Sequence, residues 1–361
     1  MGSSPDIGTL ESDYVACGFD ALPGWAEDDH LAAFRAFLSS CPPHAVRIAR
    51  TIHGPLPFQE ALALGADIRP DEARKFFETH FEPFCRQAPR VQGFVTGYYE
   101  PILLGALERS DRFNVPVYGL PTDLVPLKSE VFRAANNDKV TARRRRGSEM
   151  VDYFTRAEIE NGALEGRGLE LLYVGDWVEL FFMHVQGSGR VQLDDGSWVR
   201  LSFAGKNGHP YTSIAKVLVE KNELSANEID MARLKVWLRA APERGRLLLQ
   251  ENKSYIFFRI LTGVEGSGGP LGAEGVTLTP GRSLAIDPVC TPLGCPVYVA
   301  ADRLLAECGR PFARLMVGQD VGSAIRGPER GDIFWGTGDA AGEFAGSTRH
   351  QATFFLLLPK R

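Results

Sequence analysis

Three aspartates in the last third of the chain have the residue settings that acid–base chemistry needs. Asp287 lies in Arg282-Ser283-Leu284-Ala285-Ile286-Asp287-Pro288, Asp320 in Met316-Val317-Gly318-Gln319-Asp320-Val321-Gly322, and Asp332 in Gly331-Asp332-Ile333-Phe334-Trp335-Gly336. Each adjoins an apolar run short enough to be a strand, so each acid stands where a strand meets a loop. A carboxyl beside bulky apolar groups loses solvation, its pKa rises, and it can hold a proton near neutrality. Asp332, followed by Ile333, Phe334 and Trp335, fits that description best. A tryptophan next to an acid is also a platform for a sugar ring, which points to acid catalysis on a polysaccharide. On residue types alone, Asp332 reads equally as a turn cap after Gly331. Asp320 before Val321-Gly322 is a turn former or a support for Asp332, and Asp287 before Pro288 reads as turn initiation.

Other polar residues are weaker candidates. Tyr98 and Tyr99 alternate along a strand, which predicts one in the core and one facing a ligand. Trp335 reads as core with one exposed edge. Gly187-Ser188-Gly189 lacks the lysine and helix start of a phosphate loop and reads as a tight turn. His209 before Pro210 reads as a hydrogen-bonded structural histidine. Glu100 remains open as a second carboxyl.

The bulk properties remove whole classes of function. At 361 residues the chain is long enough for two domains, and 24% charged with 44% hydrophobic residues is the composition of a globular protein. A net charge of −5 argues against nucleic-acid binding, which needs a basic footprint. The basic run Arg143 to Arg146 reads as a solvated loop. No apolar stretch reaches membrane-spanning length. Met1 to Asp6 carries neither a basic n-region nor an apolar h-region, and Tyr14-Val15-Ala16-Cys17 has no apolar stretch before it and is not read as a lipobox. Cys17, Cys41, Cys85 and Cys308 are scattered, while Cys290 and Cys295 bracket a turn and read as two buried thiols in preference to a disulfide. No zinc-ligand spacing is present, and no cofactor or metal is expected.

The elements that must position these residues alternate between helical and β patterns. Leu31, Phe34, Phe37 and Leu38 predict a helix over Asp29 to Ser40. A second is predicted from Pro70, carrying Ala73, Phe76, Phe77, Phe81 and Phe84. Val91 to Pro101 reads as a strand broken by glycines. Arg109 to Phe203 reads mainly as β, with a polar interruption at Asn136 to Ser148 and its clearest strand at Trp177 to Gln186. A hairpin is predicted from Val191-Gln192-Leu193 to Trp198-Val199-Arg200-Leu201 around Asp195-Gly196. Helices are expected over Ser213 to Glu223, Ala226 to Ala240 (Ser225 as N-cap, Glu228 completing a capping box) and Pro242 to Gln250. Strands return at Tyr255 to Phe258, Val297 to Val299, Leu315 to Val317 and Thr353 to Leu358. The alternation suggests one β domain inserted in another, with a ligand groove between them.

Six phrases together resemble a known family: Thr96-Gly97-Tyr98-Tyr99-Glu100-Pro101, Val185-Gln186-Gly187-Ser188-Gly189-Arg190, Gly205 to Ser213, Leu278 to Ala285, and the Asp320 and Asp332 turns. In order and spacing, from about Pro70 to Pro359, the chain resembles the membrane-bound lytic murein transglycosylase A family, whose C-terminal domain is named for three aspartates. The resemblance implies a mainly β fold with flanking helices. Residues 1–105 and 251–361 would form a double-psi β-barrel, and 106–250 a smaller inserted β-barrel-like domain with a helical connector. It implies a peptidoglycan lytic transglycosylase that cleaves the β-1,4 bond between N-acetylmuramic acid and N-acetylglucosamine and leaves 1,6-anhydromuramyl ends. Asp332 matches the family's catalytic aspartate and Asp320 a second one. Thr96, Gly97, Tyr98, Tyr99, Glu100, Gln186, Gly187, Ser188, Gly189 and Trp335 would line the glycan site. The implied partners are glycan strands and cell-wall synthesis or hydrolysis complexes, and the implied location is the periplasm or outer membrane. Two other readings stay open: a glycan hydrolase in which Asp320 or Glu100 activates water, and a carbohydrate-binding module without catalysis.

Overall fold

The computed structural model describes residues 14–41, 50–51, 54–87, 92–126, 141–225, 229–262, 268–306 and 309–360. The fold is mainly β with helices. The chain divides into two compact units, one of Met1–Tyr99, Gly268–Gly336 and Ala340–Arg361, the other of Glu100–Ser267 and Thr337–Asp339.

The first unit is built on a nine-stranded sheet. Its spatial order is Tyr14–Ala16, Phe81–Arg86, Thr353–Pro359, Pro296–Leu305, Pro311–Val321, Ser283–Ile286, Arg330–Thr337, Phe94–Glu100 and Arg349–Gln351. The short strand Ser283–Ile286 is the pivot. It pairs parallel with Pro311–Val321 and antiparallel with Arg330–Thr337, and Ala285 stands opposite both Asp320 and Asp332. Two helices cover the sheet. His30–Ser39 starts where Asp29 accepts the Ala32 N–H, and it buries Ala33, Phe34, Ala36 and Phe37. Pro70–His80 starts with proline in its first turn and buries Ala73, Phe76 and Phe77 against the same aromatic cluster.

That second helix corrects an expectation. Phe81 and Phe84 lie outside it, because the backbone turns extended at Phe81 and enters the strand Phe81–Arg86. Phenylalanine at helical spacing does not distinguish a fourth turn from a strand. Pairing with Thr353–Pro359, where Leu357 meets Pro83 and Pro359 meets Phe81, decides for the strand.

The second unit holds a six-stranded sheet in the order Ile256–Leu261, Trp198–Lys206, Ser188–Leu193, Ile102–Ala106, Glu170–Val174, Val115–Tyr118. The expected hairpin is there, with Gln192 opposite Trp198 and Gly189 opposite Leu201. Trp177–Gln186, expected as the clearest strand, is an α-helix. Its ends explain the reversal: Asp176 caps the Val178 and Glu179 N–H groups, and Gly187 closes the helix in the left-handed conformation (φ 79°) with its N–H on the Met183 carbonyl. A helix with apolar residues on two faces suits a site packed on both, while Val185 stays exposed and Glu179 pairs with Lys235 and Arg239. Leu180 and Met183 enter the sheet's core, while Val178, Phe181 and Phe182 join a helical cluster with Ile214, Leu218, Leu234, Leu238, Leu248 and Leu249.

The three further helices expected in this stretch are Ile214–Glu220, Met231–Ala240 and Pro242–Glu251. Ser213 caps the first. Asp230 caps the second, which therefore starts later than expected, and the expected box at Ser225 and Glu228 falls partly outside the described residues. Arg143 to Arg146, expected as a loop, lie in the strand Ala142–Arg146, which pairs with Glu149–Asp152 and Val125–Pro126. Backbone pairing, indifferent to side-chain charge, holds them extended, and Gly147 (φ 61°) makes the turn. Residues 136–140 of the expected polar interruption, and Cys308, lie outside the described residues. Cys290 and Cys295 are free thiols. Among the described residues no helix is long and apolar enough to cross a membrane.

Candidate active site

Asp332 projects from the strand Arg330–Thr337 on the face that also carries Phe334, with Ile333 and Trp335 on the other. Phe334 packs with Tyr98, Leu278, Ala285 and Ile325 in a buried cluster. This cluster, not the Trp335 ring, is the apolar ground beneath the acid. The neighbouring strand Phe94–Glu100 presents Thr96 and Tyr98 on its matching face. The Thr96 hydroxyl donates to Asp332 Oδ1 at 2.5 Å, and the Tyr98 hydroxyl donates to Asp320 Oδ2 at 2.9 Å. Gly331, before the acid, has no room for a side chain: a Cβ there would meet Leu284 Cδ1 at 2.9 Å and Phe354 Cε1 at 3.0 Å.

Arg330 completes the arrangement. Its Nη2 donates to Thr96 Oγ1 at 2.8 Å, its Nη1 donates to the Gly331 carbonyl, and its guanidinium stands 5.6 Å from the Phe94 ring centre. A guanidinium only donates, so it occupies a lone pair of the threonine hydroxyl. That hydroxyl's single hydrogen is then directed to Asp332 Oδ1. With the Thr96 hydrogen on Oδ1, Oδ2 is left as the oxygen available to carry a proton in the acid form. Burial pushes the Asp332 carboxyl up to about 6; the Thr96 hydrogen bond and the Arg330 charge pull it down, and the nearby Asp320 charge adds to the rise. Asp332 thus exchanges a proton close to neutral pH while part of it still reaches solvent. The signal for Arg330 is its place two residues before the acid, and so on the same strand face.

Asp320 is placed differently. Its Oδ1 accepts the Ala273 and Val321 N–H groups, both at 2.9 Å, in addition to Tyr98 on Oδ2. Burial raises its pKa against the pull of those three donors. Asp320 and Asp332 flank Ala285 from opposite strands, so two strand spacings, about 10 Å, separate their backbones. Asp287 is a turn clamp. Its carboxylate takes the N–H groups of Val289 and Gly327, and its carbonyl takes those of Cys290 and Thr291.

Tyr98 and Tyr99 are both buried, contrary to the expectation that one would face a ligand. Tyr98 reaches Asp320, and Tyr99 lies against Gly342, where a Cβ would stand 3.0 Å from its ring. Gly97 lets the backbone meet Trp335: a Cβ would lie 2.6 Å from both Cδ1 and Nε1 of that indole. Trp335 is buried between Phe312 and Phe344, and its Nε1 has no hydrogen-bond partner among the described residues.

The other expected site residues belong to the second unit. Glu100 is fully buried: Arg190 Nε (2.8 Å) and the Thr337 hydroxyl (2.7 Å) reach its Oε2, and Arg200 Nε lies 3.0 Å from its Oε1. Gln186 ends the helix Trp177–Gln186 and Gly187 caps it. Ser188 and Gly189 open the strand Ser188–Leu193, where a Cβ on Gly189 would lie 2.4 Å from Met183 Sδ. His209 is structural, with Nε2 2.7 Å from the Tyr153 carbonyl.

Comparison with known proteins gives this arrangement a family. Residues 94–259 match the family described as the MltA specific insert domain, and residues 282–358 match the 3D domain. A membrane-bound lytic murein transglycosylase A of Vibrio cholerae is 33% identical over 261 residues, covering 71% of this chain and 62% of the relative. Its Escherichia coli namesake is 34% identical over 268 residues, covering 73% and 64%. The chain thus spans slightly less than two thirds of these curated relatives. The crystal structure of a membrane-bound lytic murein transglycosylase from Agrobacterium tumefaciens superposes with a TM-score of 0.84 at 36% identity, covering 96% of this chain and 98% of that one. The Escherichia coli protein with bound chitohexaose superposes with a TM-score of 0.69 at 27% identity, covering 92% and 91%. Sequence and fold together show that the chain belongs to the membrane-bound lytic murein transglycosylase A family.

Proposed function

We propose that this protein is a peptidoglycan lytic transglycosylase in which Asp332 is both acid and base. The carrying observation is that one carboxyl holds a proton near pH 6 while both alternatives are occupied. Asp320 is held by three donors, and Glu100 by two arginines and a threonine. A glycosidase that uses water needs a second carboxylate to activate it or to attack the sugar. A transglycosylase does not. Asp332 Oδ2–H protonates the leaving glycosidic oxygen as the bond from it to the muramyl C1 breaks. The muramyl C6 oxygen then bonds to C1, and its hydroxyl proton returns to the Asp332 carboxylate. Acid is consumed and regenerated, no water enters, and the product ends in a 1,6-anhydro ring. The attack is intramolecular, so proximity replaces an enzyme nucleophile. Asp320, when ionised, supplies negative charge toward the oxocarbenium-like centre.

The names of the relatives support this reading, as does the chitohexaose held by the Escherichia coli protein. The same reading places the protein in the periplasm or at the outer membrane, with glycan strands as its substrate. It also makes the nine-stranded sheet a double-psi barrel, supported by the mixed pairing of Ser283–Ile286. A hydrolase is the second reading, because a backbone separation of about two strands between Asp320 and Asp332 could admit a water. Mass spectrometry of products from purified sacculi separates the two. Wild type should release 1,6-anhydromuramyl ends and Asp332→Asn none; reducing ends carrying added water would replace the proposal with hydrolysis. Sacculus binding without release by either protein would leave a binding module.

A further inference from the structure

Cys17 and Cys85, 68 positions apart in sequence, meet in the first unit. Tyr14–Ala16 is an outermost strand of the nine-stranded sheet and is held there by Phe81–Arg86. The register sets Val15 opposite Cys85, and one step further the Cys17 N–H donates to the Pro83 carbonyl at 2.9 Å. Residues two apart on a strand share a face, so Cys17 and Cys85 are diagonal neighbours on one side of the pair. The two thiols are near enough to influence one another's ionisation, and Cys17 Sγ donates to the Pro83 carbonyl at 3.5 Å. Both side chains are half-buried and border the core of the helices His30–Ser39 and Pro70–His80. The buried thiols differ: Cys41 bonds to the Phe37 carbonyl, and Cys295 to those of Pro296 and Leu357.

We propose that Cys17 and Cys85 form a disulfide-forming site that staples the edge strand Tyr14–Ala16 to Phe81–Arg86. The co-reactant is a disulfide, whether that of a dithiol oxidoreductase or of oxidised glutathione. The Cys85 thiolate attacks it, making a mixed disulfide and releasing one thiol. The Cys17 thiolate then displaces the second, closing the Cys17–Cys85 bond. Two protons and two electrons leave the cysteine pair, and the incoming disulfide becomes two thiols. Closing so long a loop restricts the unfolded chain and stops the sheet edge from fraying. Burial, followed by the neighbouring Cys85, pushes the Cys17 thiol up to about 12, so closure accelerates as pH rises.

The test is independent of the proposed catalysis. Reduced full-length protein is incubated with oxidised glutathione at mildly alkaline pH, and its intact mass and non-reduced peptides are measured. The expected product is two hydrogen atoms lighter, yields a peptide joining Cys17 to Cys85, and melts several degrees higher than the reduced form. Cys290→Ser should keep that link, and Cys17→Ser and Cys85→Ser should each lose it, with circular dichroism checking that both fold. Glutathione adducts without a link, a link between other cysteines, or a link that forms only in denaturant would overturn the proposal.

Discussion

Replacing Thr96 with valine tests how the acid is tuned. Valine keeps the volume of the side chain and removes the hydroxyl that donates to Asp332 Oδ1. That hydrogen bond pulls the Asp332 pKa down, so its loss must raise it above the present value of about 6. A hydrogen bond to an ionised acceptor contributes about 1.5 kcal/mol, which is about one pKa unit. On the proposed mechanism the acid form is required when the glycosidic bond breaks, so kcat/KM falls as pH rises through that pKa. In wild type a group titrating near 6 is about one-tenth protonated at pH 7; in the variant, about one-half. The basic limb of the pH–rate profile should therefore move about one unit upward, whatever the loss in absolute rate. The assay is the initial rate of anhydromuramyl release from sacculi between acid and mildly alkaline pH. Thr96→Ser, which keeps the hydroxyl, should restore the wild-type limb. A limb in Thr96→Val that stays in place or moves down would refute the assignment of both the acid and its partner.

The same pKa carries a stability consequence. Asp332 binds its proton more tightly folded than unfolded, so native stability falls as pH rises from about 4 to about 6. Asp332→Asn should therefore be more stable than wild type at pH 7.5, by up to about 3 kcal/mol, and lose that advantage near pH 4; urea titrations giving equal differences at both pH values would contradict it. Gly97→Ala places a methyl 2.6 Å from the Trp335 indole and 2.9 Å from the Ala345 Cα. It should cost about 1–3 kcal/mol in urea denaturation and lower turnover by displacing Thr96, whereas an unchanged midpoint would mean the indole yields freely. Glu100→Gln removes the charge facing Arg190 and Arg200 and should cost about 3–5 kcal/mol, read as a fall in the urea midpoint.

Much of this protein was legible in its residues because the relevant forces are local. Asp29 and Ser213 announced helix starts, Asp195-Gly196 a hairpin and Asp287-Pro288 a turn, since capping and turn conformations involve only adjacent residues. The three aspartates and six family phrases pointed to Asp332 for the same reason. Tertiary structure decided what depends on partners distant in sequence. Trp177 to Gln186 has strand-like composition, yet it is a helix because both its faces are buried and its two ends are capped. Phe81 and Phe84 continue a helical spacing, yet they pair with the strand Thr353–Pro359. Ile333, Phe334 and Trp335 together suggested that Asp332 is desolvated, and alternation along the strand gives that task to the Phe334 face. The acid's partner, Thr96, lies 236 positions away. Residue types determined that an aspartate could be the acid; only the folding of one strand beside another brought the Thr96 hydroxyl to one of its oxygens, because a hydrogen bond needs its donor within reach.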